Sequence, residues 1–421
     1  MTKQSLENMN HTYAVIMAGG EGTRFAPLST SERPKQFLNF IGDNTFIRQT
    51  FERVLPLVPA ENVYVSTNER YVNLVSEQIP EIPSLNIIGE PLKKNTAPAL
   101  AYCAKILHDR DENAIMICLP SDHFIADENG FRLALDRMIS LAGEGYLATL
   151  GMRPTCPSPD YGYIKAQQGC HPGRSEGSPE AFVVESFTEK PDASTAAKYI
   201  GEGYLWNGGI FAWKTRTFLD ELAKYAPELD VIPECLNRGT SLEYFNAVPS
   251  ISIDYAVMEK SKRVAVIPCD VGWSDVGTWK GLYELSKKGG VSVASETLAV
   301  MREQLGLGLP MFVGKPWGHE EIWARTPDYV GKILVIKKNH RLSYQYHRVK
   351  EETIRLLEGV MDLECDAGGM HKIVRLSAGD VFHIPPQTKH RMIAVEDCQV
   401  LETSTPHLND VVRVEDDYGR S

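Results

Sequence analysis

A five-residue apolar run, Ala14-Val-Ile-Met-Ala18, ends abruptly at Gly19-Gly20-Glu21-Gly22. The run is long enough for one buried strand, and the glycines after it carry no Cβ. They can adopt positive φ and let backbone N–H groups converge on an anion. Arg24 and Lys35 place two cations around the same loop. Such a loop could hold a triphosphate through its backbone while the cations offset its charge. The spacing excludes two commoner phosphate loops. No G-x-x-x-x-G-K-[ST] is present, and Phe25 stands where G-x-G-x-x-G needs its third glycine. The plainer alternative is a tight turn after a strand, with Arg24 and Lys35 in solvent.

Downstream, apolar runs and helical periodicities alternate. Residues 45–58 carry Ile47, Phe51, Val54, Leu55 and Val58 at helical spacing. Strands are expected at 62–67, 85–89 and 114–119, and helices at 68–79 and 95–109, where Pro98 is tolerable only in the first turn. This alternation implies an α/β fold, with a parallel sheet covered on both faces. Ligands in such sheets sit at the carboxyl ends of strands. The glycine loop is at one such end, and Pro120-Ser121-Asp122-His123 at another. A carboxylate at Asp122 suits Mg²⁺, which takes one or two protein carboxylates and phosphate oxygens. An Asx turn closing the strand is the plainer reading, and His123 reads as structural. Asn95 or Thr96 would cap the helix that follows Glu90-Pro-Leu-Lys-Lys.

From residue 146 the pattern becomes antiparallel. Strands at 146–151, 161–164 and 181–188 flank a Gly/Ser/Pro-rich turn at 168–180. They lead to Phe187-Thr-Glu-Lys-Pro191 and Leu205-Trp-Asn-Gly-Gly-Ile-Phe211, both expected at strand–loop junctions. Glu189 can accept sugar hydroxyl protons, Lys190 can pair a phosphate, and the Asn207 amide can do both. Residues 253–260 read as weakly amphipathic and 264–268 as a strand. Asp275 then lies between Gly272 and Gly277 in a tight turn, as the natural partner of Asp122 for a shared Mg²⁺.

The string G-x-G-T-R-x-x-P-x-[ST] followed by Pro34-Lys35 resembles the signature of the sugar-1-phosphate nucleotidylyltransferases. With Glu90–Ala99, Pro120–His123, Tyr161–Ile164, Glu189–Pro191, Trp206–Gly208, Ser252–Lys260 and Gly272–Trp279, residues 13–279 resemble the GDP-mannose pyrophosphorylase family in particular. The resemblance implies a Rossmann-like mixed-sheet nucleotidyltransferase domain that joins GTP to mannose 1-phosphate with Mg²⁺. By that resemblance Ala18, Gly19, Gly20, Gly22, Thr23, Arg24, Asn95, Thr96, Ala97 and Ser121 bind the nucleotide. Lys35 neutralises the α-phosphate, Asp122 and Asp275 hold Mg²⁺, and Gly162, Glu189, Lys190 and Asn207 hold the sugar phosphate. Two alternatives stay open. One is the same chemistry on another sugar 1-phosphate, such as a manno-heptose 1-phosphate. The other is a non-catalytic nucleotide-sugar sensor, which would not need the paired aspartates.

The nucleotidyltransferase domain is expected over 1–285, a connector over 286–312, and an all-β barrel over 313–421, where short alternating runs recur between turns. Gln345 and His347 fall on one side of a strand, and with Glu352 and His390 could ligate Zn²⁺, Fe²⁺ or Mn²⁺. A polar barrel interior without metal is the alternative. Lys315–Gly318, Ser343–His347 and Gly379–His390 resemble the cupin (double-stranded β-helix) domain fused to type II phosphomannose isomerases. Those bifunctional relatives carry a longer His-rich run where this sequence has His347-Arg348-Val349. The resemblance therefore leaves metal binding as an expectation and isomerase activity in doubt, with an active isomerase still an open alternative.

A net charge of -11 argues against nucleic acid as a partner. Eight scattered cysteines without a C-x-x-C pair suit a reduced, cytoplasmic setting, with Cys118 and Cys269 as buried thiols. A polar N-terminus and short apolar runs give no expectation of a signal peptide or membrane span. Self-association into a homo-oligomer stays open.

Overall fold

The computed structural model describes residues 10–167, 172, 179–231, 238–287, 291–305, 311–367, 370–407 and 410–419. Contacts divide the chain into two units, Met1–Met301 and Arg302–Ser421. The expected turn at 168–180 lies largely outside the described residues, as do Cys170 and Cys235. The six described cysteines are free thiols, and five of them, including Cys118 and Cys269, are buried. Among the described residues no helix is long and apolar enough to cross a membrane.

The first unit is built on a nine-stranded sheet in the order β3-β2-β1-β4-β8-β5-β9-β7-β6. The strands are β1 (Thr12–Met17), β2 (Val63–Asn68), β3 (Ile87–Glu90), β4 (Ile115–Pro120), β5 (Leu147–Met152), β6 (Tyr163–Ala166), β7 (Phe182–Thr188), β8 (Leu205–Lys214) and β9 (Val264–Cys269). β1 to β4 run parallel, and β8 is antiparallel to both β4 and β5. Apolar residues face both sides of the central strands, as in β1, where Ala14 and Ile16 enter one buried cluster and Tyr13 and Val15 the other. Fully burying a side chain such as Val15 or Ile16 contributes roughly 1.5–3 kcal/mol.

β1 is followed by β2 on one side of the sheet and lies against β4 on the other, so the strand order reverses between β1 and β4. Met17 pairs in register with Pro120. The glycine loop after β1 and the Ser121-Asp122 turn after β4 therefore leave the sheet at the same level, at the switch point where α/β sheets bind ligands.

Two expectations change in detail. Residues 68–79 begin as a 3₁₀ turn, Glu69–Tyr71 capped by Asn68, before the helix Val72–Gln78. The segment expected to be amphipathic at 253–260 contains a π-helix, Asp254–Met258. A helix not anticipated above, Glu128–Gly143, covers β8, β5 and β9.

From Met311 onward the described part of the second unit is all-β. One antiparallel sheet has the order β10-β11-β12-β19-β14-β17, the other β16-β15-β18-β13-β20. Its strands are β10 (Met311–Lys315), β11 (Gly318–Arg325), β12 (Val330–Ile336), β13 (Tyr344–His347), β14 (Glu352–Glu358), β15 (Val360–Ala367), β16 (Met370–Ser377), β17 (Val381–Ile384), β18 (His390–Ala394), β19 (Cys398–Ser404) and β20 (Val411–Glu415). Leu334, Ile354 and Val400 of one sheet pack with Leu363 and Met392 of the other, so the core lies between them.

Candidate active site at the sheet switch point

Three groups of residues gather at the ends of the central strands. The first surrounds the glycine loop. Gly22 has φ 58°, and a Cβ there would fall 2.5 Å from the Lys35 backbone nitrogen, so only glycine fits. The Gln36 amide holds the loop from behind by donating to the carbonyls of Ala18 and Gly20, both at 2.8 Å. Lys35, beside it in sequence, faces a cleft of about 330 Å³ with Gly22, Thr23, Arg24, Lys93, Asp122 and Asp275. The Lys35 ammonium donates to Asp122 Oδ2 at 3.0 Å and to the Asp275 carbonyl at 2.7 Å. It also sits 5.7 and 5.2 Å from the ring centroids of Phe25 and Phe46.

Burial is the largest single influence and acts to raise the Asp122 carboxyl, but the Lys35 charge and hydrogen bond, with smaller help from His123 and the backbone, together outweigh it and hold Asp122 below the usual carboxylate range. Burial pushes the neighbouring His123 down to about 4, so it is neutral, and its Nδ1 accepts the Trp273 indole N–H at 3.1 Å. That is a structural role. Asp122 and Asp275 both offer hard carboxylate oxygens to one cleft, a donor set suited to a divalent cation such as Mg²⁺.

The second group lines an adjoining cleft of about 360 Å³ that includes Gly19, Gly20, Glu90, Asn95, Thr96, Ser121 and Asp254. Asp122 and Lys93 line both clefts. Asn95 takes φ 69° and its side chain accepts the Thr96 N–H at 2.8 Å, starting the helix Thr96–Arg110. Thr96 Oγ1 accepts from the Ile253 backbone at 2.9 Å. Ala18 and Ala97, both fully buried, back the cleft instead of lining it. Glu90, 7% exposed, was not singled out from the sequence as a site residue. Ser66 donates to its Oε1 at 2.7 Å, and burial raises its carboxyl.

The third group brings together Gly162, Glu189, Lys190 and Asn207. A Cβ on Gly162 would lie 2.5 Å from Glu189 Oε2, and the Gly162 carbonyl accepts the Asn207 backbone N–H at 2.8 Å. Lys190, at φ 44°, donates to Glu189 Oε1 at 2.7 Å. Asn207 lies within β8 instead of at a strand–loop junction, and its amide donates to Asp254 Oδ1 at 2.9 Å. Burial, with the Glu189 charge second, pushes Asp254 up to about 6. Asp254 carried no assignment from the sequence because a π-helix has no periodic signature that would reveal where its side chains face.

Residues 13–290 match the nucleotidyl transferase family. The chain belongs to that family. Residues 333–404 match the cupin domain. The xanthan biosynthesis protein XanB of Xanthomonas campestris pv. campestris is 30% identical over 482 residues, covering 98% of this chain and all of that protein. The mannose-1-phosphate guanylyltransferase of Escherichia coli K12 is 40% identical over 290 residues, 65% of this chain and 59% of that one. Among solved structures, the Thermus thermophilus protein named mannose-1-phosphate geranyltransferase matches with TM-score 0.59 and 36% identity, covering 66% of this chain and 80% of that one. The mixed-sheet nucleotidyltransferase unit followed by an all-β cupin unit is therefore the architecture of this family member.

The cupin unit holds its own cluster. His347, Glu352 and His390 are buried, with ligand atoms within 4.8 Å of one another. Gln345 pairs across strands with His390, and both face the same cavity of about 260 Å³. His347 and His390 each bury an Nε2 that makes no hydrogen bond. Two inward imidazole nitrogens beside a carboxylate and an amide oxygen fit a transition metal. Lys350 reaches Glu352 and also Glu402, the latter at 2.7 Å. Burial acts to lower the Lys350 ammonium, but these two carboxylates outweigh it and raise it.

Proposed function

We propose that the first unit transfers a guanylyl group from GTP to α-D-mannose 1-phosphate, giving GDP-mannose and pyrophosphate. The observation that carries this reading is the meeting of two clefts at Asp122: one contains Gly19, Gly20, Glu90 and the start of a helix, the other Gly22, Arg24, Lys35 and Asp275. A nucleoside in the first and a triphosphate in the second would put the α-phosphate at the junction. Glu90 suits guanine, whose Watson–Crick edge offers adjacent N1–H and N2–H donors to a carboxylate, while uracil and adenine lack that pair.

A phosphate monoester is already a nucleophile, so no general base is required. One of its oxygens attacks the α-phosphorus, the bond to the β-phosphate oxygen breaks, and pyrophosphate leaves with the electron pair. The barrier is repulsion between anions. Lys35 and Arg24 neutralise the α- and β-phosphates, and the backbone of Gly19–Gly22 orients them. Glu189, Lys190, Asn207 and Gly162 hold the sugar phosphate in line. Asp122 and Asp275 would bind Mg²⁺, which supplies further charge neutralisation at the reacting phosphates. No covalent enzyme intermediate is involved.

The relatives named mannose-1-phosphate guanylyltransferase support the choice of sugar. A pyrophosphate-release assay with GTP, Mg²⁺ and a panel of sugar 1-phosphates tests it. Mannose 1-phosphate should turn over fastest. Preference for a manno-heptose 1-phosphate would change the sugar and keep the chemistry, and silence across the panel would favour a nucleotide-sugar sensor.

In the cupin unit the orphaned imidazole nitrogens support a bound Zn²⁺, Fe²⁺ or Mn²⁺ held by Gln345, His347, Glu352 and His390. Fructose 6-phosphate should be converted slowly or not at all, and efficient conversion would show that the barrel is an isomerase.

A further inference from the structure

We infer that Tyr161 is a positioning residue: its phenol orients Asp275 for the metal and ties that carboxylate to the sugar-phosphate group. The inference rests on the reading of Asp275 as a metal ligand.

The Tyr161 hydroxyl donates to Asp275 Oδ1 at 2.8 Å across 114 residues of sequence. The same oxygen receives the Gly277 backbone N–H at 3.3 Å. Two protein donors thus commit Oδ1 and leave Oδ2 as the oxygen for a cation. The Asp275 turn needs such a tie, because Val276 is held at φ 46°, a conformation that disfavours β-branched residues.

The phenol is itself fixed by packing. Its ring lies 4.6 Å from the Trp206 centroid and 5.5 Å from that of Trp273. Each ring adjoins a different part of the site in sequence. Tyr161 precedes Gly162, Trp206 precedes Asn207, and Trp273 stands two residues before Asp275. One aromatic cluster therefore joins the sugar-phosphate residues to the carboxylate. A shift of Gly162 or Asn207 on sugar-phosphate binding would be felt at Asp275 through a phenol about the width of one ring away. An aromatic that only filled space would need no hydroxyl, and phenylalanine would serve equally well.

The test is Tyr161→Phe, which removes the hydroxyl and keeps the ring. Mn²⁺ serves as a paramagnetic probe, its binding to the full chain with GDP-mannose read by electron paramagnetic resonance. Affinity should fall by about 10- to 100-fold, the usual effect of losing an outer-shell hydrogen bond. KM for GTP should change by less than about threefold, and most of kcat should return as Mn²⁺ is raised. With GDP-mannose left out, mannose 1-phosphate should tighten Mn²⁺ binding in the parent chain, and in Y161F this coupling should vanish. Near-ultraviolet circular dichroism checks the aromatic packing. If Y161F loses that packing, Tyr161→Gln, which keeps a donor, takes its place and should retain more affinity than Tyr161→Leu. An Asp275→Asn control separates the two failures. If Asp275→Asn binds Mn²⁺ normally, the metal reading of Asp275 is wrong and this inference falls with it. If Asp275→Asn loses Mn²⁺ and well-packed Y161F, or Tyr161→Gln against Tyr161→Leu, shows no difference, only the role of Tyr161 is overturned.

Discussion

The Lys35 ammonium donates to the backbone carbonyl of Asp275 at 2.7 Å, across 240 residues of sequence. With its second bond to Asp122, it closes the cleft at the point where both carboxylates and the glycine loop meet. The position is demanding. Lys35 is 4% exposed and wedged between the Phe25 and Phe46 rings. Lys35→Met should therefore lower kcat by about 10²–10³-fold, the effect of removing one oriented donor at a developing charge. Lys35→Arg should not rescue it, because a planar guanidinium cannot replace a point charge in that space. Steady-state kinetics of the two variants decide this, and full activity in Lys35→Arg would show that only charge matters.

If the first unit uses GTP as proposed, Glu90 should govern the choice of base. Its carboxylate is buried, has Ser66 as a hydrogen-bond donor, and borders Gly19 in the cleft assigned to the nucleoside. Glu90→Gln replaces one acceptor oxygen with a donor that opposes guanine N1–H. The kcat/KM for GTP should fall by about 100-fold while that for UTP changes little, since a mismatched buried donor costs the desolvation of both groups. Competition between GTP and UTP in one pyrophosphate-release assay measures the ratio directly. An unchanged ratio would move base selection elsewhere.

Asp254 makes a pH-dependent prediction. Its carboxyl is raised from an ordinary 3.8 to about 6, first by burial and then by Glu189. A raised carboxyl means that the folded state holds its proton more tightly than the unfolded state. This group's ionisation therefore costs stability as pH climbs from about 4 to about 6, and the cost is complete above that. Asp254→Asn removes the cost and keeps the contact with Asn207. Relative to the parent it should gain stability between about pH 5 and about pH 7.5, by on the order of 1–3 kcal/mol. Urea unfolding at the two pH values tests this, and a pH-independent difference would remove Asp254 from the linkage. Its proximity to Asn207 and Glu189 also predicts a raised KM for the sugar phosphate.

The central strands were legible because their signal is local. A continuous apolar run such as 114–119 can only be buried on both faces, and β4 occupies it almost residue for residue. The helix Glu128–Gly143 carried an equally clear signal, with Phe131, Leu135, Met138 and Ile139 at helical spacing after the Asp127 cap, but no motif drew the reading to it. Glu90 and Asp254 were harder. Glu90 ends a strand and reads as the first residue of a polar loop, and only the pairing of β3 with β2 brings Ser66 within reach of its carboxylate. In the barrel the alternation is obscured because interior positions are charged. Glu320, Lys332 and Glu402 face the cavity from β11, β12 and β19, so β11 and β19 present polar residues on both sides and give no period-two pattern.

The same charged interior frames the last prediction. His390 Nε2 lies 2.9 Å from Glu352 Oε1 without the geometry of a hydrogen bond, and His347 Nε2 lies 3.7 Å from Glu352 Oε2. A protonated His390 can ion-pair with Glu352, but His347 Nε2 is left buried without a hydrogen bond, and a shared cation would satisfy both imidazoles at once. Lys350 already offsets part of the Glu352 charge, so the cluster should prefer a metal bound largely through imidazole nitrogen over a hard oxygen-seeking ion. Elemental analysis of the purified full chain should find about one transition-metal ion per molecule, and His390→Ala should lose most of it. A strong chelator should lower the thermal midpoint of the barrel in the parent and have little effect on His390→Ala, because ligand release costs stability only where the ligand was bound. Equal midpoints with and without chelator, in a chain that takes up no Zn²⁺, Fe²⁺ or Mn²⁺, would mean that the barrel tolerates its unpaired nitrogens without a metal.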